Sequence, residues 1–136
     1  MNTSRFSRSL LLLCALVLSS CASTFTAPNL PAGGEQAIAV LEPKVFERGA
    51  KFFITKIDGQ ARGLGWFNRF ELAPGRRAIT ASVNAYGYRG ADITKYFTAE
   101  AGKRYHFVVN DDPASMRWTF SIVELATGRP VDSPAP

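Results

Sequence analysis

The chain has 136 residues, of which 46% are apolar and 20% are charged. This composition is typical of one globular domain with one modest hydrophobic core, and it excludes an intrinsically disordered chain. The formal net charge of +5 comes from scattered basic residues, which is ordinary for a soluble domain and also suits contact with anionic lipid head groups or acidic glycans.

The first twenty residues have the three parts of a secretion signal. Arg5 and Arg8 give a positive start, residues 10–18 form a short apolar run, and two serines precede a cleavage point. The apolar run covers about half of the roughly 20 residues that a membrane-spanning helix needs. The sequence therefore predicts a cleaved signal peptide over residues 1–20 and no permanent membrane span.

Residues 18–21, Leu-Ser-Ser-Cys, resemble the lipobox of bacterial lipoproteins. The resemblance implies that Cys21 receives a diacylglycerol on its sulfur and, after cleavage, a further acyl chain such as palmitate on its amino group. Each chain adds about 0.8 kcal/mol of membrane affinity per buried methylene, so two or three give a stable anchor. Ala22 stands where an aspartate marks inner-membrane retention, which implies lipid anchoring in the outer membrane, with the domain in the periplasm or at the cell surface. The alternative is an ordinary secretory signal followed by a chance cysteine.

The mature chain divides into three predicted parts. Residues 21–35 are rich in Ser, Thr, Ala, Pro and Gly, which predicts a lipidated flexible tether. Residues 36–131 form the predicted folded domain. Residues 132–136 are predicted to be a disordered tail.

Short β-rich segments with closely spaced turn signals run through the predicted domain, and no window carries a useful helical apolar stripe. In residues 77–85, Ile79, Ala81 and Val83 alternate with polar residues. The sequence therefore predicts an all-β fold, a small antiparallel β-sandwich of about seven strands, with a closed barrel as the alternative. The predicted strands cover residues 37–41, 51–57, 65–72, 77–85, 93–98, 104–110 and 116–125.

The last two predicted strands form an aromatic hairpin. Tyr105 and Phe107 share one face of its first strand, and Trp118 and Phe120 share one face of its second. Aromatic pairs across neighbouring strands contribute about 0.2–1 kcal/mol each beyond burial. We expect these four side chains to point into the core, with a turn at residues 110–113.

Three turn signals in a fixed order resemble PEGA-type and transthyretin-like β-sandwich modules: Asp-Gly closing residues 54–59, Pro-Gly within residues 70–77, and Gly-Tyr within residues 86–88. Residues 99–105, Ala-Glu-Ala-Gly-Lys-Arg-Tyr, are similar to a hairpin of small Gram-negative lipoproteins. The chain departs from the pattern at Arg77, where these modules often have His or Tyr. The resemblance implies an adhesive or structural module without an active site.

The sequence offers no clear residue set for catalysis, a metal ion or a cofactor. His106 is the only histidine, and we expect it to face away from the aromatic core. Cys14 is lost with the signal peptide and acylation uses Cys21, which leaves no cysteine ligand and no disulfide. Asp111 and Asp112 suit Ca²⁺ as oxygen ligands, but Asn-Asp-Asp-Pro is equally a common turn sequence.

Aromatic and basic residues cluster in two predicted loops and are the candidate binding residues. Trp, Tyr and Arg are enriched in binding hot spots, and a Trp beside an Arg can also stack on a sugar ring. The alternative is that Trp66 and Phe70 fill the core while Arg69 lies in solvent. The candidates are Arg62, Trp66, Arg69, Tyr86, Tyr88 and Arg89.

These features favour a non-enzymatic accessory module of the cell envelope, held to membrane lipid through acylated Cys21, with an envelope protein as its partner. A second hypothesis is a carbohydrate-binding module for peptidoglycan or surface polysaccharide, which requires Trp66 or Tyr88 to be exposed in a groove. A third is an envelope hydrolase that uses His106 or a carboxylate pair. A nucleic-acid partner is not expected, because the protein would reside outside the cytoplasm.

Overall fold

The computed structural model describes residues 23–43, 51–85, 87–112 and 114–134, and it confirms an all-β sandwich of two sheets. These residues contain eleven strands, more than the seven expected, because short pairings at the sheet edges add to the longer predicted strands. The strands are β1 (Thr24–Thr26), β2 (Ala39–Glu42), β3 (Lys51–Ile57), β4 (Gln60–Ala61), β5 (Arg69–Leu72), β6 (Gly75–Ala85), β7 (Tyr88–Arg89), β8 (Ile93–Ala99), β9 (Arg104–Asp112), β10 (Arg117–Glu124) and β11 (Asp132–Pro134).

The strand order is β1-β5-β2-β9-β10 in the first sheet and β11-β8-β6-β3-β4 in the second, where β7 also pairs with β6. Most neighbours are antiparallel, as the sequence predicts, but β1 runs parallel to β5 and β2 runs parallel to β9. Parallel neighbours require long connections, and both pairs join strands that are far apart in the chain. This long-range pairing corrects the expectation of a purely antiparallel sandwich.

Alternating side chains from both sheets form the hydrophobic core. On β6, Ile79, Ala81 and Val83 are fully buried, which confirms the predicted alternation. Leu41 and Leu72 meet them from the first sheet and are also buried. Burial of a side chain as large as leucine contributes about 1.5–3 kcal/mol relative to exposure, so the space between the sheets supplies most of the stabilisation.

The predicted aromatic hairpin is confirmed. β9 and β10 pair antiparallel, and Tyr105, Phe107, Trp118 and Phe120 are all buried between the sheets. Phe52 of the second sheet packs against this group, with ring centroids 4.8 Å from Phe107 and 5.5 Å from Phe120. The strands are longer than predicted, since β9 continues to residue 112 and the turn falls at residues 114–116.

The segment predicted as a flexible tether contains a strand. β1 pairs with β5, and the Phe25 ring lies 5.7 Å from the rings of both Phe67 and Phe70. The Phe25 ring packs against the hydrophobic core, which the polar composition of this segment does not indicate. After β1, residues 27–36 are mostly exposed and include a 3-10 helix at Gly34–Gln36.

The segment predicted as a disordered tail also contains a strand. β11 pairs antiparallel with β8, and the Asp132 carboxylate connects the two sheets. Its Oδ1 accepts the backbone N–H of Ile122 at 2.7 Å, and its Oδ2 lies 2.8 Å from Lys95 Nζ. A charged residue near the C-terminus is here a buried acceptor, which composition alone does not indicate.

The predicted signal peptide over residues 1–20 and the acylation site at Cys21 lie outside the described residues. Within the residues that the structure describes, no helix has the length and apolar character needed to cross a membrane.

Candidate functional site

A groove lies on the outer face of the second sheet, and we call it the cationic groove. It has a volume of about 290 Å³. Strands β3 and β6 form its floor, while the loop after β4 and strand β7 each place an arginine at its side. Its lining residues are Phe53, Thr55, Arg62, Ser82, Asn84 and Arg89.

Strand alternation and one β-bulge orient the floor of this groove. Phe53 pairs with Ser82, and both side chains point away from the core because their neighbours along the strands point inward. The register shifts between Ile54 and Lys56, so Thr55 is an extra residue in β3. Its hydroxyl donates to the carbonyl oxygen of Thr80 at 3.2 Å, which holds Thr55 in the groove.

Arg62 fixes the loop beside the groove. Its guanidinium donates to the carbonyl oxygens of Ile54 and of Gly65, the latter at 2.5 Å, and lies 5.3 Å above the Phe67 ring. Burial lowers the pKa of Arg62, but a guanidinium remains charged in proteins. Arg62 therefore brings a positive charge to the groove and holds the loop in place.

Trp66 is exposed and lies next to the cationic groove. It is 68% exposed, whereas Phe70 is 2% exposed, so only the second of these rings fills the core. The Trp66 ring packs on Phe53 with centroids 5.3 Å apart, and Lys51 Nζ lies 5.7 Å from its centroid. Trp66 thus extends the aromatic wall of the groove toward Lys51, a third cation besides Arg62 and Arg89.

Leu64 and Trp66 project from the sandwich on one loop, residues 63–66, which we call the Leu64 tip. Leu64 is fully exposed. Gly63 and Gly65 on either side of it have φ angles of 82° and 135°, values that residues with a Cβ atom rarely adopt. The two glycines therefore allow the sharp turns that expose an apolar side chain at the tip.

Arg69 does not join the groove. It lies on the outer face of the first sheet, where its guanidinium approaches Glu35 at 2.5 Å, Glu71 at 3.1 Å and Glu42 at 3.6 Å. Desolvation lowers the pKa of Arg69, but hydrogen bonds and charges from Glu71 and Glu35 outweigh it and raise the pKa overall. The alternation of β5 explains the position, because Phe70 takes the inward-facing place beside it.

Tyr88 and Arg89 point to opposite faces of β7. Arg89 lines the cationic groove, whereas Tyr88 is half-buried against the core and donates its hydroxyl hydrogen to the Asp111 carboxylate. That hydrogen bond, with burial and the charges of Asp111 and Asp112, raises the pKa of Tyr88 to about 12. Tyr86, the remaining candidate, lies outside the described residues. The structure therefore brings Arg62, Trp66 and Arg89 together.

The raised pKa of Tyr88 predicts a measurable alkaline titration. The ordinary tyrosine pKa is about 10. The stabilisation that the Tyr88–Asp111 hydrogen bond gives to the folded state is therefore complete below pH 10, and it is lost as the pH rises toward about 12. We expect Asp111→Asn to lower the pKa of Tyr88 toward its ordinary value, as followed by phenolate absorbance with Tyr88→Phe identifying the signal. An unchanged titration in Asp111→Asn would contradict the assigned cause.

In the described residues, His106 and the two aspartates that a calcium site would use lie at different places in the fold. His106 lies on β9 opposite Val123, on the outer face of the first sheet and away from the cationic groove. Asp111 accepts from Tyr88, and Asp112 accepts from Ser115 Oγ at 2.6 Å, which lowers the Asp112 pKa. Asp111 and Asp112 are neighbours on β9, so their side chains face opposite sides of the strand. The described residues contain no group of three His, Cys, Asp or Glu residues with metal-site geometry.

Sequence reasoning missed Phe53, Thr55, Ser82 and Asn84 as groove residues. The alternation of residues 77–85 already places Ser82 and Asn84 on the outer face. The missing information was the pairing of β3 with β6, which brings Phe53 beside them.

Together, the fold and the groove define a two-sheet β-sandwich with an exposed cationic and aromatic surface. Comparison with known proteins found no matching family model, no matching curated protein and no matching solved structure.

Proposed function

We propose that the protein is an outer-membrane lipoprotein whose β-sandwich is a non-enzymatic accessory binding module of the cell envelope. The module contacts its partner, an envelope protein, through the cationic groove. The lipid anchor is acylated Cys21, and the PEGA-like and transthyretin-like turn order fits a binding or structural role.

One observation carries this proposal: the arginines of the groove lack acidic partners within the described ranges. Arg62 and Arg89 form no ion pair there, whereas Arg69, Arg77, Lys95, Lys103 and Arg104 each do. A charged group without an acidic partner in its own chain can pair with an acidic group of another molecule and steer its approach. Polar groups of Thr55 and Asn84 stand beside these charges as further hydrogen-bonding groups.

The N-terminal sequence supports the anchored location. Residues 1–20 have the organisation of a secretion signal, and Cys21 follows the small residues that lipoprotein processing requires. Two or three acyl chains on Cys21 would give a stable membrane anchor.

The exposed Trp66 supports a second candidate, a carbohydrate-binding module for peptidoglycan or surface polysaccharide. Its ring is 68% exposed and packs on Phe53 at the edge of the cationic groove. An exposed aromatic ring beside hydrogen-bonding side chains can stack on a sugar. In this case Trp66→Ala would abolish co-sedimentation with isolated cell-wall sacculi, while Trp66→Phe would retain part of it.

Site-specific photo-crosslinking in living cells tests the proposal. A crosslinkable residue at Asn84 probes the groove, and one at Thr98 is the matched control, since both positions are exposed on the outer face of the same sheet. We expect one envelope protein to be captured from position 84, lost in Arg89→Ala and in Cys21→Ser, and not captured from position 98. The Cys21→Ser chain should also lose palmitate labelling.

Other results would redirect or overturn the proposal. Capture of glycan strands from position 84 would favour the carbohydrate-binding candidate. Equal capture from both positions, or turnover of an envelope substrate that a point mutation abolishes, would contradict a binding module that works through the groove. Unchanged palmitate labelling in Cys21→Ser would contradict the anchor.

A further inference from the structure

We infer that the sandwich stands end-on against the lipid surface, with the Leu64 tip inserted among the lipid head groups directly beside the anchor. This inference rests on the proposed acylation of Cys21. It adds an orientation and a second membrane contact, which the proposed function does not require.

The first step is the position of the chain that leads to the anchor. The hydroxyl of Ser23 donates to the carbonyl oxygen of Trp66, and the backbone N–H of Asn68 donates to the carbonyl oxygen of Ser23 at 3.2 Å. Cys21 precedes Ser23 by two residues, which span at most about 7 Å when fully extended. Acyl chains on Cys21 would therefore enter the membrane next to the Leu64 tip, without a long tether between them.

The second step is the chemistry of the tip. Leu64 is fully exposed and Trp66 is 68% exposed, although both are large apolar side chains. Tryptophan is enriched at the membrane–water interface, where its ring is buried among head groups and its N–H stays hydrated. Lys51 Nζ lies 5.7 Å from the Trp66 ring, so a cation accompanies the apolar tip, as binding to anionic head groups requires.

The third step is the direction of the strands. Thr24 pairs with Arg69 in parallel, so the starts of β1 and β5 lie at one end of the sandwich. β2 is antiparallel to β5 and parallel to β9, which brings the far end of β9 to the same end. The turn after β9 exposes Met116, which is 70% exposed, and it is followed by the exposed Arg117.

The two ends of the sandwich therefore differ in the described chain. Within the described chain, the end that carries Ser23 exposes three large apolar side chains together with Lys51 and Arg117. Asp111 and Asp112 also lie at this end, where they accept hydrogen bonds from Tyr88 and Ser115. At the opposite end, Lys103 pairs with Glu100 at 3.0 Å and with Glu124 at 3.2 Å. An end with exposed apolar side chains next to the anchor fits a lipid surface better than the ion-paired end does.

Tryptophan fluorescence of the full lipidated protein in vesicles tests this orientation. The vesicles contain phosphatidylethanolamine and phosphatidylglycerol, with and without brominated acyl chains that quench nearby indoles. We expect bromine to quench Trp66 and aqueous iodide to lose access to it, while the buried Trp118, isolated in Trp66→Phe, responds to neither. Leu64→Ser should reduce the quenching of Trp66. Leu125→Ser, which alters an exposed leucine at the opposite end, should leave it unchanged.

Each outcome bears on a distinct claim. Equal access of iodide to Trp66 in the vesicle-bound protein and in the unacylated Cys21→Ser chain in buffer would overturn the end-on orientation. Shielding of Trp66 only after sacculi are added would assign the tip to a glycan and would also overturn it. Mass spectrometry of the same preparation reports the acyl groups on Cys21, so failure of the anchor is distinguishable from failure of the orientation.

Discussion

Replacing Gly90 with alanine is expected to lower the free energy of unfolding by about 3 kcal/mol, through overpacking of the core. Gly90 is buried, and its N–H donates to the carbonyl oxygen of Val83 at 2.8 Å. An added Cβ would lie 2.4 Å from Trp118 Nε1 and 2.7 Å from Val83 Cγ1, so both side chains must move. Moving Trp118 also weakens its 2.9 Å hydrogen bond to the carbonyl oxygen of Ala91. Equilibrium denaturation of the purified chain measures the loss.

A double-mutant cycle separates this steric effect from any backbone effect. Trp118→Phe removes Nε1, the atom that the new Cβ would approach most closely, so the two substitutions together should cost less than the sum of their separate costs. Gly87→Ala is the control, since its Cβ meets nothing within 4 Å and its φ of 82° imposes only a backbone cost. Strict additivity of Gly90→Ala and Trp118→Phe would show that the steric explanation is wrong.

Replacing Asp132 with alanine is expected to cost about 3 kcal/mol, because breaking a buried ion pair leaves its remaining groups without partners. The Asp132 side chain is 5% exposed and accepts from both Lys95 Nζ and the Ile122 N–H. The loss falls at the lower end of the range for buried pairs, since Lys95 is 18% exposed and can turn toward water. Chemical denaturation measures the change.

Two further variants identify which contact of Asp132 matters. Asp132→Asn keeps an oxygen that can accept the Ile122 N–H but removes the charge, so it should fall between the parent chain and Asp132→Ala. Asp92→Ala is the control, because Asp92 is exposed and has only a 3.4 Å contact with Thr55 Oγ1. If Asp132→Ala were as stable as Asp92→Ala, β11 would not contribute to the folded domain.

The long strands could be predicted from the sequence because their burial follows a local rule. β6, β9 and β10 each bury one face between the sheets, so the buried apolar residues recur at every second position. In β3 three consecutive apolar residues and a bulge interrupt this pattern. β1 and β11 have three residues each, too few for a period to be visible. Phe25 contacts Phe70, and Asp132 pairs with Lys95, across more than thirty residues of sequence, which a local pattern does not reveal.

The candidate site could be predicted only in part from the sequence. Residue type identified Arg62, Trp66 and Arg89 as binding candidates, and the structure brings them to one surface. It also suggested Arg69 and Tyr88, which face other parts of the sandwich. Successive positions of a strand face opposite sides of the sheet, so the exact strand bounds decide which way each of these side chains points. Their contact residues are decided by the pairing of strands that are distant in the sequence.

Short strands and one returning segment cover part of the edge of each sheet. β1, β4 and β11 are edge strands of only three, two and three residues. The longer edge strand β10 is covered along its second half. There the backbone N–H of Glu124 donates to the carbonyl oxygen of Arg129 at 3.0 Å, and the backbone N–H of Val131 donates to the carbonyl oxygen of Ile122 at 2.9 Å. Long exposed edges are the usual templates for edge-to-edge aggregation. Edge-to-edge pairing between copies of this sandwich is therefore hindered at the short edge strands and along the second half of β10, and the first half of β10 is the longest stretch that remains open to it.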